Sequence, residues 1–418
     1  MVVILGGGFG GVRVALDLAK RRAANIVLID RNSYHSLPTH YYEVATAFEP
    51  EHKNESRMDR SKIFHELIRS AAIPLEDIFG RFDAVKLVRG EVSRVDPKTR
   101  RVILEGGRVF SYDYLVIALG SATNYFGISH LEDNSLGLKT VMEAANVRNR
   151  IDELFLQTPK HKKVRVVVGG GGFTGVELAA ELVGYMNKLA QIHACPHGHW
   201  ECVIVEAGPT VLGVSPEPIR RMAQRRLQRL GVTVLCDSPI VDVWPNLIHI
   251  GKEKRPFPFD LLVWTAGVKG ACTGDIIEGA LLDKKHCVNV TDTLHVGSYA
   301  DIFTVGDVAG TLDPKTRAPM PMTAQKAIHE AKYVARAIIK LSKNPKTVLR
   351  PYFPKYSSYI IPLGGKFALL DTPLAKTSGF FVWALKYVVL LRYLKSILPI
   401  RRALWLLAGE LALFTKND

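Results

Sequence analysis

At 418 residues the chain is too long for a single hydrophobic core, and at 47% hydrophobic content without low-complexity tracts it is neither disordered nor fibrous. Lys and Arg outnumber Asp and Glu by 55 to 40, a net charge of +15, but no basic block interleaved with aromatics appears, so nucleic acid is not the expected partner and an anionic membrane surface or plain solubility is. The five cysteines (195, 202, 236, 272, 287) show no CxxC spacing and read as free thiols, and Met1 runs straight into the first strand pattern, which leaves no room for a signal peptide.

Val2-Val3-Ile4-Leu5 is a short β-branched run. It leads into Gly6-Gly7-Gly8-Phe9-Gly10-Gly11, with glycines at the three GxGxxG positions 6, 8 and 11. A helical pattern follows, then the strand Asn25–Ile29, closed by Asp30. This is a dinucleotide-binding βαβ unit. Gly6 permits the tight turn, Gly8 lets backbone approach a pyrophosphate, and Gly11 lets helix and strand pack closely. Asp30, 19 residues after Gly11, stands where a carboxylate accepts ribose hydroxyls. Phe9, Gly10 and Arg31 complete the candidate contacts of this first loop.

Residues 32–46 are polar and aromatic with a proline break, expected as a loop and short helix near the first nucleotide, with Thr46 at its end. Glu49–Lys62 is charged and expected to be solvated, and Phe64–Ala72 is expected to be helical. Val85–Val92 and Arg101–Leu104 alternate like strands, with Gly106-Gly107 as a turn. Tyr112–Ser121 is a buried strand ending in small residues, where Ala118 and Gly120 let a backbone pass close to a cofactor.

Leu138–Leu156 reads as a helix and Thr158–Lys163 as a basic linker. Then the first pattern repeats. Val164–Val168 leads into Gly169–Gly175, with Gly170, Gly172 and Gly175 in register and Phe173 and Thr174 between them. A helix, the strand Cys202–Val205 and Glu206 follow. Two such units imply two dinucleotides, of which one can be a bound flavin and the other its electron donor or acceptor. His193, Cys195, His197, His199 and Cys202 have no accepted metal spacing and are expected to be an exposed insertion, with no metal. Pro218–Leu230 is helical and Val232–Leu235 a strand. Asp260–Gly267 mirrors Tyr112–Ser121, ending in Ala266 and Gly267.

Asp301–Asp307 is an apolar strand closed by Gly306-Asp307, whose acid can bond a flavin's ribityl chain. Pro319–Val334 holds a helix start with Thr323 as N-cap. Its N-terminal dipole would stabilise negative charge on a reduced flavin. The tail differs. Phe380–Arg392 is strongly apolar, Pro399 breaks it, and a second segment ends near Phe414. Neither run reaches the ~20 residues needed to span a bilayer. From Asp371 to Asp418 seven basic and three acidic residues give an excess of four positive charges. Apolar faces with Trp and interspersed Lys and Arg fit helices lying in a membrane interface.

Taken together, these motifs resemble the type II NADH dehydrogenases, the single-subunit, non-proton-pumping NADH:quinone oxidoreductases. The most specific match is Gly170–Leu178, with Glu177 at the family's nicotinamide-side glutamate. Glu43–Thr46, Ala118–Ser121, Thr265–Gly267 and Gly306-Asp307 also match. The family's AQxAxQ motif here reads Ala324-Gln325-Lys326-Ala327-Ile328-His329, with His329 in place of the last Gln, and Thr39-His40-Tyr41 stands where leucines are usual. The resemblance implies an α/β fold with two Rossmann-like dinucleotide-binding domains in a glutathione-reductase-like arrangement. The expected domains are 1–135 and 271–345 for FAD, 136–270 for NADH, and 346–418 for an amphipathic membrane-association and dimerisation region. It further implies FAD on the first glycine loop, with Val92 near the adenine, and NADH on the second, with Glu206 on its ribose. Glu177 would position the nicotinamide, and Gln325 and His329 would face the quinone. The expected protein is a respiratory-chain homodimer, peripheral on the cytoplasmic face of the cell membrane. Rival expectations are a sulfide:quinone oxidoreductase, which needs paired cysteines beside the flavin, and a non-turnover NADH-sensing flavoprotein.

Overall fold

A computed structural model describes residues 1–48, 68–69, 71–272, 276–277, 279–354 and 358–414. The charged stretch 49–62 and most of the expected helix 64–72 lie outside the described residues. The chain divides into two compact units. The first comprises Met1–Ser36, Ile73–Ala122 and Val268–Ser357; the second comprises Leu37–Ala72, Thr123–Gly267 and Ser358–Asp418. The segment from Leu37 and the C-terminal helices therefore group with the second glycine loop.

In chain order, the elements that matter are β1 (Val2–Leu5), α1 (Phe9–Ala19), β2 (Ile26–Asp30), α2 (Tyr41–Val44), β3 (Val85–Arg89), β4 (Tyr114–Ile117) and α3 (Val141–Gln157). There follow β5 (Val164–Gly169), α4 (Phe173–Ile192), β6 (Trp200–Val205), α5 (Glu217–Arg229), β7 (Thr233–Leu235) and β8 (Leu261–Trp264). The last are β9 (Ile302–Thr304), α6 (Ala324–Lys343), α7 (Phe380–Ile397) and α8 (Ile400–Phe414).

In the first unit the strand order is β9-β4-β1-β2-β3, and every pairing is parallel. All four residues of β1 are buried, as a central strand covered on both faces requires. Helix α1 packs against α6. The second unit repeats the plan with β7-β6-β5-β8, again all parallel. Its helix α3 begins where Thr140 accepts the Glu143 N–H while the Glu143 side chain accepts the Thr140 N–H, a capping box that fixes the start.

One sequence expectation changes in detail, and one stretch gains a sheet that the sequence does not announce. The single run Val85–Val92 splits at Gly90. Val85–Arg89 joins the parallel sheet, while Val92–Asp96 pairs antiparallel with Arg101–Leu104. Gly90 donates its N–H to Asp30 O, and a Cβ there would sit 2.7 Å from the Leu104 side chain, so the chain turns away at this point. The stretch before the tail, without any sequence-based assignment, forms a three-stranded antiparallel sheet of Tyr359–Pro362, Ala368–Asp371 and Lys376–Gly379 that feeds α7.

Candidate functional site

The first glycine loop has the shape its spacing demands. Gly6 lies at φ +104°, and a Cβ there would meet Ala118 O at 2.3 Å. A Cβ on Gly11 would fall 1.9 Å from Gly6 O. A Cβ on Gly8 would meet nothing within 4 Å, so the backbone at the helix entrance faces open space. No side chain caps α1. Uncapped N–H groups facing open space at a helix N-terminus suit a pyrophosphate. Asp30 braces the loop, accepting Gly7 N–H at 2.6 Å and Asn32 N–H at 2.6 Å. Each oxygen keeps a further lone pair for a ribose hydroxyl. Burial raises the Asp30 pKa, and these N–H bonds act against that rise.

The sequence does not single out His35. It is buried, with Nδ1 2.9 Å from Gly7 O and its ring edge-on to Phe9. Burial lowers its pKa to about 4, so the ring is neutral at pH 7. A carbonyl only accepts, so the neutral ring carries its proton on Nδ1. Arg31 is exposed, 3.5 Å from the Glu91 carboxylate, and Val92 packs against the core of the first unit. Thr46 lies in the second unit, and its buried hydroxyl donates to Tyr42 O at 2.9 Å, closing α2.

Gly306–Val308 forms a short 3-10 turn after β9, with Gly306 at φ +80°. Ser121 Oγ donates to Asp307 Oδ2 at 2.6 Å, and so links two strand ends that the sequence marks separately. Gly120, also left-handed at φ +76°, leaves open space beside it. Thr323 Oγ1 accepts Lys326 N–H at 3.2 Å, as an N-cap should. Ala324 opens α6, Gln325 is exposed, and His329 lies one turn further along the same face.

The second glycine loop repeats the first. A Cβ on Gly175 would fall 1.9 Å from Gly170 O, one on Gly170 would meet Ala266 Cα at 2.5 Å, and one on Gly172 would meet nothing within 4 Å. Glu206 accepts Gly171 N–H at 2.5 Å and Gly208 N–H at 2.7 Å, as Asp30 braces the first loop. Thr174 is exposed at the helix entrance, and the half-buried Phe173 stacks on Tyr359 with ring centroids 5.1 Å apart. Gly267 is packed against the Phe126 ring and Asn124 O, so no larger residue fits.

Within the second unit a buried charged cluster joins four helices and the short turn before α2. Lys386 of α7 forms an ion pair with Glu43 of α2 and lies 3.4 Å from the Tyr42 hydroxyl. His40 Nε2 lies 2.8 Å from Glu410 Oε1 of α8. Burial drives the Glu177 pKa well above the usual carboxylate range, with Lys386 opposing and Glu43 and Glu181 adding to the rise. Glu177 is thus biased towards its neutral form. The sequence pattern counts Lys386 among the basic residues of the tail surface; instead it faces inward, because Glu43 would otherwise be a buried, unpaired carboxylate. His40, Glu43 and Glu410 each bring a ligand atom within 4.8 Å of one another, but the Lys386 ammonium already places a positive charge there.

The 193–202 stretch does not stay together as an exposed insertion. His197 is exposed, whereas His199 is buried edge-on to Phe155, and Cys202 is buried in β6. All five cysteines are free. Cys287, distant in sequence from either glycine loop, lies beside the Gly306–Val308 turn, with Sγ 3.5 Å from Asp307 O. Burial raises its pKa, so it stays a thiol, a hydrogen-bond donor and a poor nucleophile.

Two acid-braced glycine loops, each on a parallel sheet, also mark a known family. The sequence profile of the pyridine nucleotide-disulphide oxidoreductases matches residues 1–331. The chain belongs to this family. Among curated members of similar sequence is a type II NADH:quinone oxidoreductase of Staphylococcus aureus (strain MSSA476), 26% identical over 395 residues, covering 91% of this chain and 92% of that protein. A second, from Staphylococcus saprophyticus, is 25% identical over 357 residues, with 83% of each chain covered. The fold is shared with NDH2 from Plasmodium falciparum, solved in complex with NADH (TM-score 0.81, 18% identity, 98% of this chain and 96% of that one). It is also shared with the sulfide:quinone oxidoreductase of Aquifex aeolicus (TM-score 0.74, 19% identity, 98% and 91%). For this pyridine nucleotide-disulphide oxidoreductase, the open Gly8 and Gly172 positions, the uncapped helix entrances and the paired acids fit two dinucleotides.

Proposed function

We propose that this family member oxidises NADH and reduces a membrane quinone, with FAD on the first glycine loop and NADH on the second. The net reaction is NADH + H⁺ + quinone → NAD⁺ + quinol. The carrying observation is the doubled loop. Asp30 braces Gly7 and Glu206 braces Gly171 in the same way, each beside a glycine with open space for a pyrophosphate. Bound at the first loop, FAD would supply two-electron carrier chemistry between NADH and the quinone.

The chain's own residues bind and orient. The α1 and α4 N-termini hold the two pyrophosphates, and Asp30 and Glu206 hold the ribose hydroxyls. A 2′-phosphate would meet the Glu206 carboxylate, so NADH is preferred to NADPH. Asp307, held by Ser121, takes the ribityl chain. Glu177, biased towards its neutral form by burial, positions the nicotinamide amide. Gln325 and His329 lie one turn apart near the start of α6 and serve the quinone side, where an imidazole can supply a proton near neutral pH.

The tail is the membrane-facing part of this proposal. Phe381, Leu385, Val388 and Val389 are exposed along one side of α7, and Leu404 and Trp405 on α8, with Arg392, Lys395 and Arg401 exposed among them. Among the described residues no helix is long and apolar enough to cross a membrane, so the helices would lie in the interface. Attachment at the cytoplasmic face and a homodimer belong to the same proposal. Stopped-flow mixing tests the core of it. NADH should bleach the flavin absorbance and a short-chain quinone should restore it. Bleaching by sulfide but not by NADH would favour the sulfide enzyme, and bleaching without quinone reoxidation would favour a sensor.

A further inference from the structure

The buried pair Lys326–Glu330 on α6 is left without a role by the reaction above. Lysine is among the residues least often fully buried, yet Lys326 is 4% exposed and Glu330 0%. Replacing such a pair by apolar residues is often neutral or stabilising, so core packing does not account for it. Its contacts do. Lys326 Nζ donates to Gly306 O at 2.8 Å and Ala309 O at 3.2 Å, and lies 3.1 Å from Glu330 Oε1. Glu330 Oε2 accepts Gly306 N–H at 2.7 Å, and Oε1 accepts the Thr311 hydroxyl at 2.7 Å. The pair thus grips the N–H and carbonyl of Gly306 and the carbonyl of Ala309, the two residues flanking Asp307-Val308. Gly306 lies at φ +80°, a conformation that glycine can adopt but does not hold by itself.

We propose that Lys326 and Glu330 are positioning residues for FAD: a buried ion pair that fixes both ends of the Gly306–Ala309 turn and so aims the Asp307 carboxylate at the ribityl chain. The inference rests on Asp307 as the ribityl acceptor. Ser121 steadies the Asp307 side chain and the Cys287 thiol its carbonyl, while the pair steadies the backbone that carries both. A charged clamp suits this task because one ammonium can serve two carbonyls and the carboxylate together, which no apolar side chain can do.

The test compares Lys326→Met, Lys326→Arg and the double variant Lys326→Met/Glu330→Leu, the last leaving no unpaired charge. Apoprotein is titrated with FAD by fluorescence quenching and with NADH, and the flavin midpoint potential is measured in the reconstituted protein. The double variant should fold, bind NADH as the wild type does, lose at least tenfold in FAD affinity and shift its midpoint potential. Lys326→Arg, which keeps the donors, should recover part of the loss. FAD affinity and potential both unchanged in the double variant would overturn the proposal; should that variant not fold, unchanged values in Lys326→Met would do the same. Failure of the wild type to bind FAD would instead sink the function proposed above.

Discussion

His40 Nε2 lies 2.8 Å from Glu410 Oε1, joining the turn before α2 to the last helix of the chain, with both side chains buried. Burial alone would lower the His40 pKa, but Glu410 and then Glu43 outweigh it, against Lys386, and the value is raised. A raised histidine pKa stabilises the fold fully below the unfolded value of about 6.5 and loses that contribution as pH rises through the folded value. Amide-exchange protection factors of residues 400–414 should therefore fall in mildly alkaline buffer. His40→Gln should remove most of that pH dependence and cost about 3 kcal/mol, since Glu410 is left buried without its partner. Protection factors independent of pH in the wild type would contradict the ion pair.

The Lys386–Glu43 pair gives a second expectation. Lys386→Met leaves Glu43 unpaired and should destabilise by roughly 3–5 kcal/mol, whereas Lys386→Met/Glu43→Gln should recover much of it. Burial raises the Glu177 pKa and Lys386 opposes the rise, so removing Lys386 should raise it further. The pH profile of NADH-driven flavin reduction should move to higher pH in Lys386→Met. It should move less in the double variant, because Glu43, which adds to the rise, has lost its charge as well. Chemical denaturation and stopped-flow spectroscopy read the two effects separately.

Gly8 and Gly11 should fail differently when replaced by alanine. A Cβ on Gly11 meets Gly6 O at 1.9 Å, so Gly11→Ala must move backbone and should lower Tm sharply. Gly8→Ala meets no protein atom within 4 Å and should leave apoprotein Tm nearly unchanged while lowering FAD affinity. Gly172→Ala should spare FAD and weaken NADH.

Glu206 braces its loop, and in the proposed function it also selects the nucleotide. Glu206→Gln keeps one acceptor for Gly171 or Gly208 and loses the charge. The ratio of kcat/KM for NADH over NADPH should fall at least tenfold, mostly through KM for NADH. An unchanged ratio would remove Glu206 from nucleotide selection.

Phe381→Glu with Val388→Glu places two charges on the exposed side of α7. Sedimentation with vesicles containing anionic lipid should drop, while NADH oxidation with a soluble acceptor stays as before. Equal pelleting of both proteins would place the attachment elsewhere.

Short-range signals are the legible ones. Both glycine loops, their acids, the strand ends at Ala118–Ser121 and Thr265–Gly267, and the Thr323 cap are visible because each depends on residues adjacent in sequence. Partners far apart are not. Ser121 and Asp307 are 186 residues apart, and Glu43 and Lys386 are 343 apart. Lys386 and Glu410 do carry a signal, each a charge set within an apolar run of its helix. That signal fits a surface feature equally well, because periodicity separates faces but does not name the partner opposite. His35, Lys326 and Glu330 are hidden for the same reason: their partners are largely backbone atoms of turns, which leave no side-chain pattern.

The C-terminal helices carry more than an apolar exterior. Because Lys386 and Glu410 supply the counter-charges for Glu43 and His40, cutting the chain at Gly379 would strip a lid from two ionisable groups as well as removing an exposed apolar surface. A shortened protein that loses activity would report on a flooded interior as much as on lost attachment, so single surface substitutions are the sound way to separate the two.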